Sequence, residues 1–352
     1  MKTSGSRKST DRQAAASGMG WRSMITALGV DRWVRRLCGG RGAILMLHGL
    51  KESETADWQG NPGLTITGRQ LTAIVETLRS EGYELVSLDV ALERLAAPRA
   101  GPRFACLTFD DGYRDNYQLL YPLLRQLAAP ATIYVTTGFI DGEAPAWWHG
   151  IEAVLQHHPT LDMSLADRHY SFSAATTTER DAAFQQACDL LRKAAPAARA
   201  KALSQLEQIY QIDFRSIDRE RMMTWDMIRE MAASGLVEFG AHTVTHPALR
   251  DLPQAEARLE MTQSRQRLET QLERAIRHFA YPYGDAPAVD QAVTTLARDC
   301  GFASAVLAYG GPLRAGAGVH ALPRIPFGGS DTAEDLRIRL SGARAALAPA
   351  YE

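Results

Sequence analysis

Short, nearly uninterrupted apolar runs recur along the chain, and most are followed by a stretch with a helical repeat. Ala43–His48, Glu84–Leu88, Phe104–Phe109, Thr132–Val135, Val237–Ala241, His278–Tyr281 and Ser304–Leu307 read as strands, with a late strand at Leu322–Pro326. Thr67 caps a helix that runs to about Glu81, with Leu71, Ile74, Val75 and Leu78 on one face and Gly82 as its stop. Tyr117–Leu127, Trp225–Ser234 (closed by Gly235), Leu252–Leu272 and a segment ending near Gly301 read as further helices. Alternation of strand and helix implies a parallel sheet. Reactive residues gathered at strand C-termini imply barrel-like closure, although the alternation alone suits an open doubly wound sheet equally well.

Between about Gly142 and Arg221 the alternation stops. Ala-, Gln- and Arg-rich helices, Thr178–Ala194 and Ala198–Tyr210, read as an inserted helical subdomain with Trp147, Trp148 and His149 at its entrance. The expected division is a basic N-terminal tail and short helix over 1–40, a barrel over 41–330 that includes the 142–221 insertion, and a C-terminal helix and tail over 331–352. Within the first part, Met1–Gly18 reads as disordered and Trp21–Leu37 as an amphipathic helix that either packs on the barrel or touches a membrane surface. Met19 and Met24 are alternative starts.

Composition narrows the classes. A hydrophobic content of 45% in 352 residues is ample for a large core. A formal charge of −1 argues against broad attraction to nucleic acid or anionic lipid. No stretch is long and apolar enough to span a bilayer, and the basic N-terminus lacks the apolar core of a signal peptide. Cys38, Cys106, Cys188 and Cys300 are scattered and read as thiols rather than disulfides. Cytoplasmic action is the default expectation.

Two patterns carry chemistry. Asp110 and Asp111 follow the apolar run Phe104–Phe109 and precede Gly112, at the mouth of a strand. Neighbouring side chains on a strand face opposite ways, but a turn beginning there lets both acids reach one pocket. Two carboxylates so placed repel unless a cation or a proton intervenes. Far downstream, His242 and His246 stand four apart after another strand. Two imidazoles and one carboxylate leave an open coordination position, as a catalytic metal site requires.

These residues resemble a known family. Thr108-Phe109-Asp110-Asp111-Gly112-Tyr113 is similar to the first motif of the polysaccharide deacetylases (the NodB-homology, carbohydrate esterase 4 group), His242-Thr243-Val244-Thr245-His246 to the second, and Phe279-Ala280-Tyr281-Pro282-Tyr283-Gly284 to the third, in family order. Tyr113–Tyr117, Pro130–Val135 and Trp147-Trp148 resemble the exopolysaccharide- and capsule-associated branch. The resemblance implies a distorted (β/α)7 barrel and hydrolysis of an N-acetyl group on a saccharide. It implies one divalent ion held by Asp111, His242 and His246, zinc first, with cobalt, nickel or iron also suited to the donors. Asp110 is implied as base and the Tyr283 N–H as an oxyanion donor, on a loop stiffened by Pro282. Tyr113, Pro282 and Trp148 are the candidates for substrate contact.

Two departures from the family pattern stand out. The late strand carries no histidine where the family has its general acid; His48, at the end of the first strand, resembles the histidine that fills this role in a branch of exopolysaccharide de-N-acetylases, and that resemblance implies it as the acid, with His320 as the rival. Ala280 stands where the family has an arginine that pairs with the base, and Arg324 is the candidate to replace it. Two other readings stay open at this point: a metal-dependent hydrolase of a non-sugar C–N bond, in a peptide or purine-breakdown product, and a non-catalytic sugar-binding module on the same fold.

Overall fold

The computed structural model describes residues 39–53, 58, 60–98 and 101–342. The expected N-terminal tail, the Trp21–Leu37 helix, Cys38 and the end of the C-terminal tail lie outside them. Twelve strands are present among the described residues: β1 (Gly42–Leu47), β2 (Gly49–Lys51), β3 (Thr65–Thr67), β4 (Tyr83–Leu85), β5 (Arg103–Phe109), β6 (Ala131–Val135), β7 (Thr160–Leu165), β8 (Arg168–Ser173), β9 (Val237–Ala241), β10 (His278–Ala280), β11 (Ser304–Gly310) and β12 (Leu322–Pro326). The helices are α1 (Gly68–Ser80), α2 (Leu88–Ala96), α3 (Tyr121–Leu127), α4 (Thr137–Asp141), α5 (Trp147–His157), α6 (Thr177–Lys193), α7 (Pro196–Tyr210), α8 (Phe214–Arg221), α9 (Trp225–Ala233), α10 (Gln254–Leu272), α11 (Gln291–Asp299) and α12 (Ala333–Leu340).

Seven parallel strands close into a barrel in the order β1-β12-β11-β10-β9-β6-β5, with β5 returning to β1. Closure is long on that seam: Gly42 through Leu47 pair in register with Phe104 through Phe109. Strand β5 gives the first half of its other edge to β4 (Tyr83↔Arg103) and the second half to β6 (Phe109↔Ile133). The fold is therefore a distorted (β/α)7 barrel with an insertion. Strands buried on both faces need apolar residues at nearly every position, which is why Ala43, Ile44, Leu45, Leu47, Phe104, Ala105, Leu107 and Phe109 are all sealed from solvent.

Local signals set most boundaries. Thr67 forms a capping box with Gln70 at the start of α1, and Leu71, Ile74, Val75 and Leu78 face the core. Leu88 belongs to α2, not to the preceding strand, because the Ser87 hydroxyl caps the helix at Val90 N. The helix expected over Tyr117–Leu127 begins as a π-turn at Asn116–Leu120 before α3.

The 142–221 segment is not purely helical. Strands β7 and β8 form an antiparallel hairpin inside it, turned at Ala166 and Asp167, both with positive φ (49° and 63°). Ala-Asp lacks the Asn-Gly signature of such a turn, but Leu161, Met163 and Leu165 alternate with polar residues, a two-residue period that marks a strand. The insertion owns a core, in which Ile151, Val154 and Leu155 of α5 pack with Leu161 and Met163, with Phe184 and Leu191 of α6, and with Leu206 and Phe214. Its far end is stitched to the loop after β5: Arg114 N donates to Arg221 O at 2.7 Å and Met223 N to Gly112 O at 3.0 Å. Cys106, Cys188 and Cys300 are free thiols. No helix among the described residues is long and apolar enough to cross a membrane.

Candidate active site

The C-terminal ends of the barrel strands converge on a cavity of about 270 Å³ lined by His48, Asp110, Asp111, His242, His246 and Arg324, among others. Asp110 and Asp111 share it because they lie just past the end of β5, where the chain turns. Asp110 N still bonds Leu47 O at 3.0 Å, whereas Asp111 adopts φ 76°, a left-handed conformation that turns its side chain back to the face its neighbour uses. A non-glycine residue there is strained and persists only where its surroundings hold it.

The two histidines lie on a loop that follows β9. Thr243 (φ 67°) and His246 (φ 57°) are both left-handed, an uncommon state that is hardest on β-branched threonine. Side chains hold the loop. Thr243 Oγ1 accepts from His246 N at 3.0 Å, and Glu260 from α10 accepts from Val244 N and Thr245 N at 2.8 and 2.9 Å and from the Thr245 hydroxyl at 2.6 Å. Glu260 had no signal in the sequence; it is one acid on a polar helix sixteen residues away. Replacing it with glutamine is expected to weaken zinc affinity about tenfold, the lower end of what the outer support of a metal site contributes. Competition titration against a colorimetric chelator reads this; an unchanged affinity would mean that the loop holds without Glu260.

The donors fit one divalent ion. His242 Nε2 and His246 Nε2 each stand 3.5 Å from Asp111 Oδ1. That is too long for a strong hydrogen bond, but two ligands about 2.1 Å from one tetrahedral ion stand about 3.4 Å apart. Asp111 Oδ1 is buried without a hydrogen-bond partner, a state a buried carboxylate oxygen rarely tolerates unless a cation meets it. Burial and the Asp110 charge push the Asp111 carboxyl up to about 7, against a hydrogen bond from Tyr113. Burial lowers the pKa of both histidines, keeping them neutral and able to ligate. His242 Nδ1 donates to Ala280 O at 2.8 Å, which leaves the Nε2 lone pair facing the acids.

Asp110 is bound differently. Arg324 makes a two-pronged pair with it, Nη1 to Oδ1 and Nη2 to Oδ2, both 2.7 Å. Arg324 is fully buried; its Nε donates to Leu307 O at 2.7 Å and its Nη1 also to the Thr108 hydroxyl at 3.1 Å. A register shift between β11 and β12, where Val306 faces Leu322 but Gly310 faces Arg324, frames this contact. Burial alone raises the Asp110 carboxyl, but the Arg324 guanidinium, by charge and hydrogen bonds, outweighs it and, with His242 and His48, holds it at about 2. The two adjacent acids are thus driven apart, one fixed as an anion and the other left in need of a cation.

The remaining expected residues divide. His48 lines the cavity; burial holds it at about 4, opposed by the Asp110 charge. His320 does not line it, and its Nε2 bonds Phe302 O at 2.8 Å instead. Tyr283 lines the cavity at φ 62° with its ring 4.8 Å from that of His246. Pro282 is buried behind the wall, not on it, and its carbonyl accepts from Gly284 N at 2.7 Å. Gly284 must be glycine: φ is 59°, and a Cβ there would meet Ala308 N at 2.6 Å. Trp148 packs at 5.2 Å from His246 and donates from Nε1 to the Tyr113 hydroxyl at 3.1 Å. Trp148 also borders a second cavity of about 430 Å³, which shares Asn61, Leu64, Trp148 and Phe184 with the first and is lined further by Trp58, Tyr113 and His149.

Residues 97–305 match the family model described as polysaccharide deacetylase. The chain belongs to that family. A curated relative named as a polysaccharide deacetylase, YxkH of Bacillus subtilis, is 24% identical over 136 residues, 38% of this chain; the match spans 46% of the relative, about half its length. Among solved structures, IcaB from Ammonifex degensii superposes with a TM-score of 0.56 at 18% identity, covering 85% of this chain and 97% of its own. The Streptococcus pyogenes deacetylase PplD, solved with acetate, gives 0.55 at 19% identity, again over 85% and 97%. At such identities these structures speak for the barrel alone. In this family member the first motif supplies Asp110 and Asp111, the second His242 and His246, and the third the Tyr283 loop and the carbonyl that orients His242.

Proposed function

We propose that this protein is a metal-dependent de-N-acetylase of a saccharide polymer or its precursor, converting an N-acetyl group and water to acetate and a free amine. One observation carries the reading: a cation-ready triad (Asp111, His242, His246) and an ionised, guanidinium-locked carboxylate (Asp110) open into the same cavity. When bound, a divalent ion, zinc by preference, supplies Lewis-acid polarisation of the acetamide carbonyl and makes water acidic near neutral pH.

The chain's own groups then divide the work. Asp110 takes the proton from the attacking water, and the Arg324 fork keeps it ionised and aimed. The Tyr283 N–H donates to the oxygen on which negative charge grows. His48 delivers a proton to the departing amine nitrogen. Burial leaves its imidazole neutral beforehand, so it gains that proton during the cycle, and the proton Asp110 removes from water balances the one delivered to the amine.

Mass spectrometry of N-acetylated oligosaccharides tests the reaction. Zinc-loaded protein is expected to replace acetyl by hydrogen and release acetate, and exhaustive chelation to abolish this until zinc is restored. Retained activity after complete removal of metal would defeat the proposal, and turnover confined to small non-sugar amides would point to the other C–N hydrolase reading.

The adjoining cavity supports a polymeric substrate. Trp58 and Trp148 line it, and tryptophan is an aromatic with a large apolar surface on which a sugar ring can stack. Addition of a second sugar unit is expected to raise kcat/KM about tenfold, equivalent to about 1.4 kcal/mol of extra contact. A Trp58→Ala variant is expected to lose that gain while retaining turnover of the monosaccharide. Equal kcat/KM for one and several units would remove the second cavity from substrate binding.

A further inference from the structure

The insertion contributes a wall of the catalytic cavity. Helix α6 brings Phe184, Cys188 and Arg192 to it, residues four apart on one helical face. Arg192, in the last turn, holds two residues of the third-motif loop at once. Its guanidinium carbon lies 4.2 Å from the centre of the Tyr283 ring, and its Nη2 donates to both carboxylate oxygens of Asp285 at 2.7 Å. The contacts fall on either side of Gly284.

That loop needs external support. Tyr283 and Gly284 are both left-handed (φ 62° and 59°), and a tyrosine keeps that conformation only when its neighbours impose it. Backbone bonds fix the loop on the barrel side, with Ala308 N donating to Gly284 O at 2.9 Å. The Tyr283 ring rests against His246 at 4.8 Å. On the open side the cation over the ring and the ion pair to Asp285 supply the hold.

We propose that Arg192 is a positioning residue: the insertion reaches over the barrel mouth and clamps the Tyr283–Asp285 loop so that the Tyr283 N–H points at the developing oxyanion. The proposal rests on the de-N-acetylase reading for its chemical consequence, though the clamp itself is a matter of structure. It makes the 142–221 segment a working part of the active site. A clamp of this kind acts on the transition state, whereas an arginine that bound substrate directly would act on KM.

The test compares zinc-loaded full-length wild type, Arg192→Ala and Arg192→Lys on an N-acetylated oligosaccharide. Arg192→Ala is expected to lower kcat about tenfold or more, below the full value of one oxyanion donor, with KM within about twofold and zinc content unchanged. Added methylguanidinium is expected to restore part of the rate, and Arg192→Lys to restore little, since an ammonium lacks the planar fork. A crystal structure of Arg192→Ala is expected to show Tyr283 displaced from its left-handed φ. A kcat within about twofold of wild type, a loss confined to KM, or a loss that follows zinc content would overturn the clamp. If wild type turns over no N-acetylated saccharide, the de-N-acetylase reading fails and the crystal structure alone decides: Tyr283 unmoved in Arg192→Ala overturns the clamp, and Tyr283 displaced upholds it.

Discussion

Asp110→Asn is expected to lower kcat by about a thousandfold, within the range a positioned general base contributes, while zinc remains bound. An asparagine can accept a hydrogen bond at Oδ1, but it cannot take a proton from water. Its amide would also set two donors against each other, because Arg324 presents N–H groups to both oxygens of the present carboxylate. The proposed metal ligands do not include Asp110, so zinc content measured by atomic absorption should stay near that of wild type. Steady-state kcat at saturating substrate reads the loss. A fall of less than about tenfold with zinc intact would show that another group serves as base.

Arg324→Ala is expected to destabilise the protein by about 3–5 kcal/mol, the usual cost of breaking a buried ion pair from one side. The guanidinium is sealed from solvent and Asp110 is 3% exposed, so little solvent reaches the carboxylate to replace the lost partner. The change strips donors from three acceptors at once: Asp110, the Leu307 carbonyl and the Thr108 hydroxyl. It also leaves Asp110 beside Asp111 without its main counter-charge, favouring a protonated carboxyl that cannot act as base. Urea unfolding of the zinc-free protein measures the first effect. The double variant Arg324→Ala with Asp110→Asn is expected to lose less than the two single changes summed, because neither member of the pair is then left buried as an unpaired charge. Additive losses, or a cost below about 1 kcal/mol for Arg324→Ala, would mean that the pair carries no coupling in the folded state.

The barrel strands were legible because a strand buried on both faces must be apolar nearly throughout, and β1 (Gly42–Leu47) and β6 (Ala131–Val135) stand within a residue of where that pattern puts them. Helical composition on both sides masks the two-residue period of the β7–β8 hairpin. The acids at the end of β5 and the histidines after β9 were legible as chemistry, but not as geometry. Their common pocket depends on left-handed turns at Asp111, Thr243 and His246, and backbone conformation at a non-glycine residue leaves little trace in residue type.

Sequence by itself determined the alternating strands and helices, the reactive side chains at strand mouths, and the missing arginine at Ala280. Those depend on local period and on residue chemistry, both written along the chain. Only the tertiary structure decided that Arg324 locks Asp110 from 214 residues away, that His320 lies outside the cavity, and that Arg192 and Glu260 brace the loops carrying Tyr283 and His246. Such contacts arise when barrel closure and a docked insertion bring distant segments within a few ångströms, and no local pattern encodes which polar side chain will arrive there.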